Sequence, residues 1–146
     1  MTDKTAGAAP KSFTVAAAII ALWMTIGVLA LGADLATTPE QAAQLTEAQR
    51  QLRDARPSWL MVVYGVATLG GLIGALGLLM KRAWCIPMLL VSFIAVMIQF
   101  GYITFGMDSI ALLGLAAATA FPAFIVAMGG ISLWYATRAK ANGWLN

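Results

Sequence analysis

Tyr64, Thr68, Ser92 and Gln99 are the residues of this chain whose types and spacing suit recognition away from water. Each sits inside a long apolar run: "WLMVVYGVATLGGLIGALGLLM" holds the first two and "AWCIPMLLVSFIAVMIQFGYITF" the others. Their chemistry is hydrogen bonding. Gln99 is the most demanding, because lipid satisfies neither the donors nor the acceptor of its amide. Ser92 and Gln99 are seven positions apart, two helical turns, so they share one face. Gln99 is expected to point into a helix bundle and bond to Tyr64 or Thr68. Such an interhelical bond is worth about 0.6 kcal/mol on average in membrane bundles. The alternative is contact with a ligand.

Several chemistries lack their residues. The chain has no histidine, which removes His-ligated haem, His metal sites and Ser-His nucleophilic catalysis. The apolar runs contain no carboxylate, so a proton relay or cation-coupled exchange of the usual kind has no titrating group. No glycine-rich phosphate loop stands in a water-facing segment, and no surface is available for nucleic acid. The expectation is a non-enzyme with no catalytic, cofactor-binding or metal-binding residue. Asp34 and Asp108 are read as solvated loop acids, with cooperation between them as the rarer outcome.

The elements that position these groups follow from composition. Hydrophobic residues make up 61% of the chain and charged ones 10%, with mean hydropathy +0.84. A soluble domain carries about 25% charged residues, so the class is an all-α integral membrane protein of one domain, residues 1–146. Four runs reach the roughly 20 apolar residues a spanning helix needs: Phe13–Gly32, Trp59–Met80, Ala83–Phe105 and Gly114–Thr137. They predict an antiparallel four-helix bundle. The first run is too long for a signal-peptide core, so it is expected to be retained. The single cysteine, Cys85, permits no intrachain disulfide and is read as a buried small hydrophobe.

Charge sets the orientation. Lys4, Lys11, Lys81, Arg82, Arg138 and Lys140 fall on one side of a four-span bundle, and Arg50, Arg53 and Arg56 with five of the six acids on the other. Cytoplasmic segments are enriched in Lys and Arg. Both termini are therefore expected on the cytoplasmic side of the membrane, with the Ala33–Ser58 loop extracytoplasmic. Trp59 and Tyr102 would mark the outer interface, and Trp84, Trp134 and Tyr135 the inner one.

Within that loop, Thr38, Pro39 and Gln41 form a Thr-x-x-Gln start signal, and Leu45, Ala48, Leu52 and Ala55 make a narrow apolar stripe. One amphipathic helix is predicted over about 39–56, supported by Glu47–Arg50 and Arg50–Asp54 pairs and stopped by Pro57. It is either a capped connector or a partner-docking helix that presents Glu47, Arg50 and Arg53.

Gly70, Gly71, Gly74 and Gly77 in the second run, and Gly129 and Gly130 in the fourth, suit close helix packing, within the bundle or between copies. A flexible moving helix is the other reading. Pro87 falls in the first turn of the third run, where it is tolerated; Pro122 falls inside the fourth and is expected to kink it.

The segment "PSW" followed by "GGLIGALGLLMKRAWCIPMLLVSFIAVMIQFGY" resembles small, uncharacterised bacterial four-span inner-membrane proteins that carry an automatic sugar-transporter label. A glycine-rich helix before a basic turn is also loosely similar to DoxX-like four-helix proteins, and that resemblance implies quinone or redox partners. Three functions stay open: an accessory or structural subunit of a larger membrane complex, which is preferred; a small-solute transporter acting as a homo-oligomer; and a lipid- or quinone-facing subunit of a membrane enzyme. For sugar recognition the available set is thin: Gln99, Tyr64, Tyr102 and Trp23. The expected partners are the bilayer and a membrane protein or further copies of the chain.

Overall fold

The computed structural model describes residues 8–146, so Lys4 lies outside the described residues. The described chain is helical: α1 (Lys11–Leu35), α2 (Pro39–Ala43), α3 (Glu47–Asp54), α4 (Ser58–Leu79), α5 (Cys85–Gly101), α6 (Ser109–Leu113) and α7 (Leu115–Ala141). The last turns of α5 widen into a π-helical segment, Tyr102–Gly106. Four helices are long and apolar enough to cross a membrane: α1, α4, α5 with its π segment, and α7. They match the predicted runs to within a few residues. The fourth run starts at Gly114, whose φ of 83° separates α6 from α7. A non-glycine residue would be strained there.

The single helix predicted over 39–56 is two helices. The physical reason is a second start signal, Thr46-x-x-Gln49. At both N-termini the threonine hydroxyl accepts the N–H three residues on, and that glutamine's Oε1 accepts the threonine's own N–H. The distances are 3.3 and 3.0 Å at Thr38–Gln41, and 3.2 and 3.0 Å at Thr46–Gln49. Two complete capping boxes eight residues apart define two helix starts. Arg50 closes the gap between them by donating to the carbonyls of Ala43 (3.1 Å) and Leu45 (3.4 Å). Glu40, in the first turn of α2, has its carboxyl held below the usual range by its own backbone N–H and then by the Thr38 hydroxyl.

The large helices pack in the order α1, α4, α5, α7. Glycines set the α4–α5 distance. A Cβ at Gly74 would meet Leu89 Cγ at 2.8 Å, and one at Gly77 would meet the Trp84 ring at 2.8 Å. A Cβ at Gly71 would meet Met24 of α1 at 2.7 Å and Ser92 Oγ at 2.9 Å. Gly71 is thus wedged between two neighbours. On α7, Gly129 faces Phe93, with 3.0 Å left for a Cβ. In each of these cases the small residue serves packing within one chain.

Packing is uneven along the bundle. At the Lys81–Arg82 turn the core is dense: Phe13, Ala17, Leu78, Cys85, Ala136 and Ala139 are fully buried. The chain's last residues seal this end. Gly143, at φ 74°, ends α7, and Trp144 N–H reaches back to the Ala139 carbonyl at 3.0 Å, a Schellman closure. Asn146 then exchanges 2.7 Å backbone bonds with Lys81 and Ala83. Toward the other end the helices enclose a cavity.

Candidate functional site

The cavity holds about 820 Å³. Its walls come from α1, α4, α5 and α7, and its mouth from the α2–α3 segment, through Gln41, Leu45, Arg53 and Arg56. The dense core at the turn end closes its floor. α1 and α7 both line it, yet they make no close backbone approach of the kind α1 makes with α4. Two aromatic pairs bridge them instead: Phe13 stacks on Tyr135 (centroids 6.0 Å), and Trp23 meets Phe124 edge-on at 5.3 Å.

The lining changes in character from the mouth inward. At the mouth, Asp34 from the end of α1 accepts a 2.6 Å hydrogen bond from Arg56 Nη1 and lies 3.8 Å from Arg53 Nη1. These side chains are between 22% and 30% exposed, so the cluster is partly withdrawn from water. It exists because Pro57 turns the chain sharply from α3 into α4, which returns Arg53 and Arg56 over the end of α1. Below the mouth are Tyr64 and Gln99. The rest of the lining is mainly apolar and aromatic, with Trp23, Phe93 and Phe121 among its residues and Thr68 and Ser92 set between them.

All four candidate intramembrane polar residues line this one cavity: Tyr64, Thr68, Ser92 and Gln99. Their bonding differs from expectation. The interhelical hydrogen bond belongs to Ser92, whose hydroxyl donates to the Ala67 carbonyl of α4 at 2.5 Å. Thr68 turns to its own helix and donates to the Tyr64 carbonyl at 2.9 Å. Gln99 bonds to neither Tyr64 nor Thr68: the Thr68 hydroxyl donates within its own helix, and all three side chains line the cavity. It is 7% exposed, and its amide has no hydrogen-bond partner among the described residues. No polar side-chain atom among them is both sealed off and unpartnered, so the amide opens onto the cavity.

The residues proposed for docking separate. Glu47 and Arg50 form an exposed 3.8 Å pair outside the cavity; Arg53 faces inward to Asp34. The Arg50–Asp54 pair is absent among the described residues, because Arg50 is engaged at the end of α2. Asp34 and Asp108 share no bond there either; Asp108 starts α6 at φ 53°. Trp59 and Tyr102 meet edge-on at 5.0 Å.

Sequence reasoning missed the Asp34–Arg53–Arg56 cluster. The signal was present: an acid at the end of one apolar run, and two arginines just before the proline that opens the next. No family model matches the chain, and neither does any curated protein or solved structure.

Proposed function

We propose that this chain is a small integral membrane protein, an antiparallel bundle that holds an amphipathic molecule of the bilayer in the cavity between α1, α4, α5 and α7. The observation that carries the reading is Gln99. An amide that is nine-tenths buried, unpartnered and open to a cavity is costly in an empty protein. It becomes favourable when a ligand supplies its hydrogen bonds. The cavity's size supports the same reading, since about 820 Å³ lies within the range of roughly 300–1,000 Å³ that binds small organic ligands. Its surfaces, a charged mouth over a mainly apolar and aromatic interior with a few hydrogen-bonding groups, match the polar head and apolar body of a lipid or an isoprenoid quinone.

Among the three functions open from the sequence, this is the lipid- or quinone-facing one. A purely structural subunit has no use for such a cavity. A sugar would cover the aromatic faces with its C–H groups but would find few partners for its many hydroxyls in a lining that is mainly apolar. The chain carries no histidine and no carboxylate within its spanning helices, so reaction of the bound molecule falls to a partner protein. We place the α2–α3 end outside the cytoplasmic membrane, where the mouth meets the outer headgroup layer. Gentle purification from native membranes, followed by extraction and mass spectrometry, tests the reading. A defined amphiphile at near one per chain is expected, and Ala30→Phe, which fills the cavity from α1, is expected to lower that ratio severalfold with the fold intact. Protein that arrives free of any retained amphiphile would overturn the proposal.

A further inference from the structure

The mouth of the cavity carries an unbalanced charge. Its charged lining consists of Asp34, Arg53 and Arg56, one acid against two bases, for a net of +1. A single arginine would neutralise Asp34, and Arg56 already does so with a 2.6 Å bond. Arg53 sits farther out, at 3.8 Å from the other carboxylate oxygen. A guanidinium has five N–H donors in a planar fork, and Asp34 engages only a part of the two forks. The rest are held over the cavity in a site partly withdrawn from water, where an unmatched positive charge is disfavoured and an anion is attracted more strongly than at an open surface. Asp54, next to Arg53 on α3, is exposed, is not part of the cavity lining and forms no ion pair among the described residues, and Glu47 is engaged with Arg50 on the exposed side.

On these grounds we infer that the ligand is an amphiphile with an anionic headgroup, seated with its phosphate or carboxylate on Arg53 and Arg56. The inference rests on the amphiphile-binding reading and adds the headgroup chemistry to it. The head replaces part of Asp34's contact with Arg53. Gln99 and Tyr64, one level down, meet the uncharged polar linkage, such as an ester or a hydroxyl. The chains lie along Trp23 and Phe121, on the side where α1 and α7 are joined by the Trp23–Phe124 pair and not by close backbone packing. A headgroup bearing a quaternary ammonium fits less well, since it brings a second cation to a site that already has an excess of one.

The test uses the intact chain in nanodiscs made of equal phosphatidylcholine and phosphatidylglycerol, with the lipid retained on release measured by native mass spectrometry. Retained phosphatidylglycerol is expected to exceed phosphatidylcholine by about tenfold, the ratio that one added charge-assisted contact supports. Arg53→Gln, which leaves the Asp34–Arg56 pair in place, is expected to bring that ratio close to one. Asp34→Asn, which raises the net charge of the mouth, is expected to increase it. Glycerol phosphate, the same head without chains, is the control for a soluble anion; it is expected neither to raise thermal stability nor to displace the retained lipid. Equal retention of the two lipids, unchanged by Arg53→Gln, would overturn the headgroup inference and leave amphiphile binding standing. Retention of neither lipid would overturn both. Displacement by glycerol phosphate would assign the site to a soluble anion and remove the amphiphile from it.

Discussion

Arg56 Nη1 lies 2.6 Å from Asp34 Oδ2 and ties the end of α1 to the corner between α3 and α4. The two residues are 22 positions apart, so the bond closes the whole connecting loop over the cavity. Removing either partner leaves a charge without its closest counter-ion in a partly buried place. Full burial of such an orphan costs about 3–5 kcal/mol and an exposed pair is worth about 0–1. Arg56→Ala is therefore expected to cost about 1–2 kcal/mol, with a larger effect on the loop than on the bundle. Hydrogen exchange read by mass spectrometry is the measurement: α2 and α3 amides should exchange faster while those of α4 and α5 hold. Equal loss of protection along the whole chain would contradict a local tie.

Ser92 and Gln99 stand on one face of α5 and should respond to substitution in opposite ways. Ser92 makes the interhelical bond to Ala67, so Ser92→Ala is expected to lower thermal stability by about 0.6 kcal/mol, the average for such bonds in membrane bundles. Gln99 makes no bond to lose among the described residues. In delipidated protein Gln99→Leu is expected to leave stability within about 0.5 kcal/mol, or to raise it. Retained amphiphile should drop severalfold in the same variant. Destabilisation by Gln99→Leu with retention unchanged would make Gln99 a structural residue after all.

The contrast between these two residues also shows how much was legible beforehand. Apolar run length and the Lys81-Arg82 break located the four long helices, because a stretch of that length without charge has few alternatives. Shared spacing placed Ser92 and Gln99 on one face, and both do line one cavity. Periodicity does not say how far apart two helices stand, and that distance decides whether Gln99 reaches a protein partner or a ligand. The glycine contacts of α4 are closest toward the Lys81–Arg82 turn, at Gly71, Gly74 and Gly77, and loosen at Gly70 and Gly65, on the side where the cavity opens. The split between α2 and α3 was readable from the second Thr-x-x-Gln, had each capping signal been counted separately. The Asp34–Arg56 tie joins residues that neither period nor motif connects.

The glycines of α4 divide into two kinds that a single methyl group distinguishes. At Gly74 an added Cβ would lie 2.8 Å from Leu89 Cγ and 3.1 Å from the Leu89 backbone nitrogen. The backbone atom cannot swing away, so Gly74→Ala is expected to cost about 1–3 kcal/mol through overpacking. At Gly65 nothing lies within 4 Å of the added atom. There Gly65→Ala should stabilise by up to about 1 kcal/mol, because alanine loses less freedom in a helix. Thermal denaturation in one detergent compares the pair directly. Equal effects at the two positions would mean that the α4–α5 approach is looser than described here.

Orientation across the membrane is open to a clean chemical test, because Cys85 is the chain's one cysteine and is fully buried. The turn end of the bundle carries Lys11, Lys81, Arg82, Arg138 and Lys140, and the α2–α3 end carries Arg50, Arg53 and Arg56. Positively charged residues concentrate on the cytoplasmic side, and the five against three favours the turn end there. In a Cys85→Ser background, Gln51→Cys on α3 should react with a membrane-impermeant maleimide once only the outer envelope is opened. Lys140→Cys at the end of α7 should react only after the cytoplasmic membrane is permeabilised. The reverse pattern would put the arginine-lined mouth in the cytoplasm, and the amphiphile would then be drawn from the inner headgroup layer.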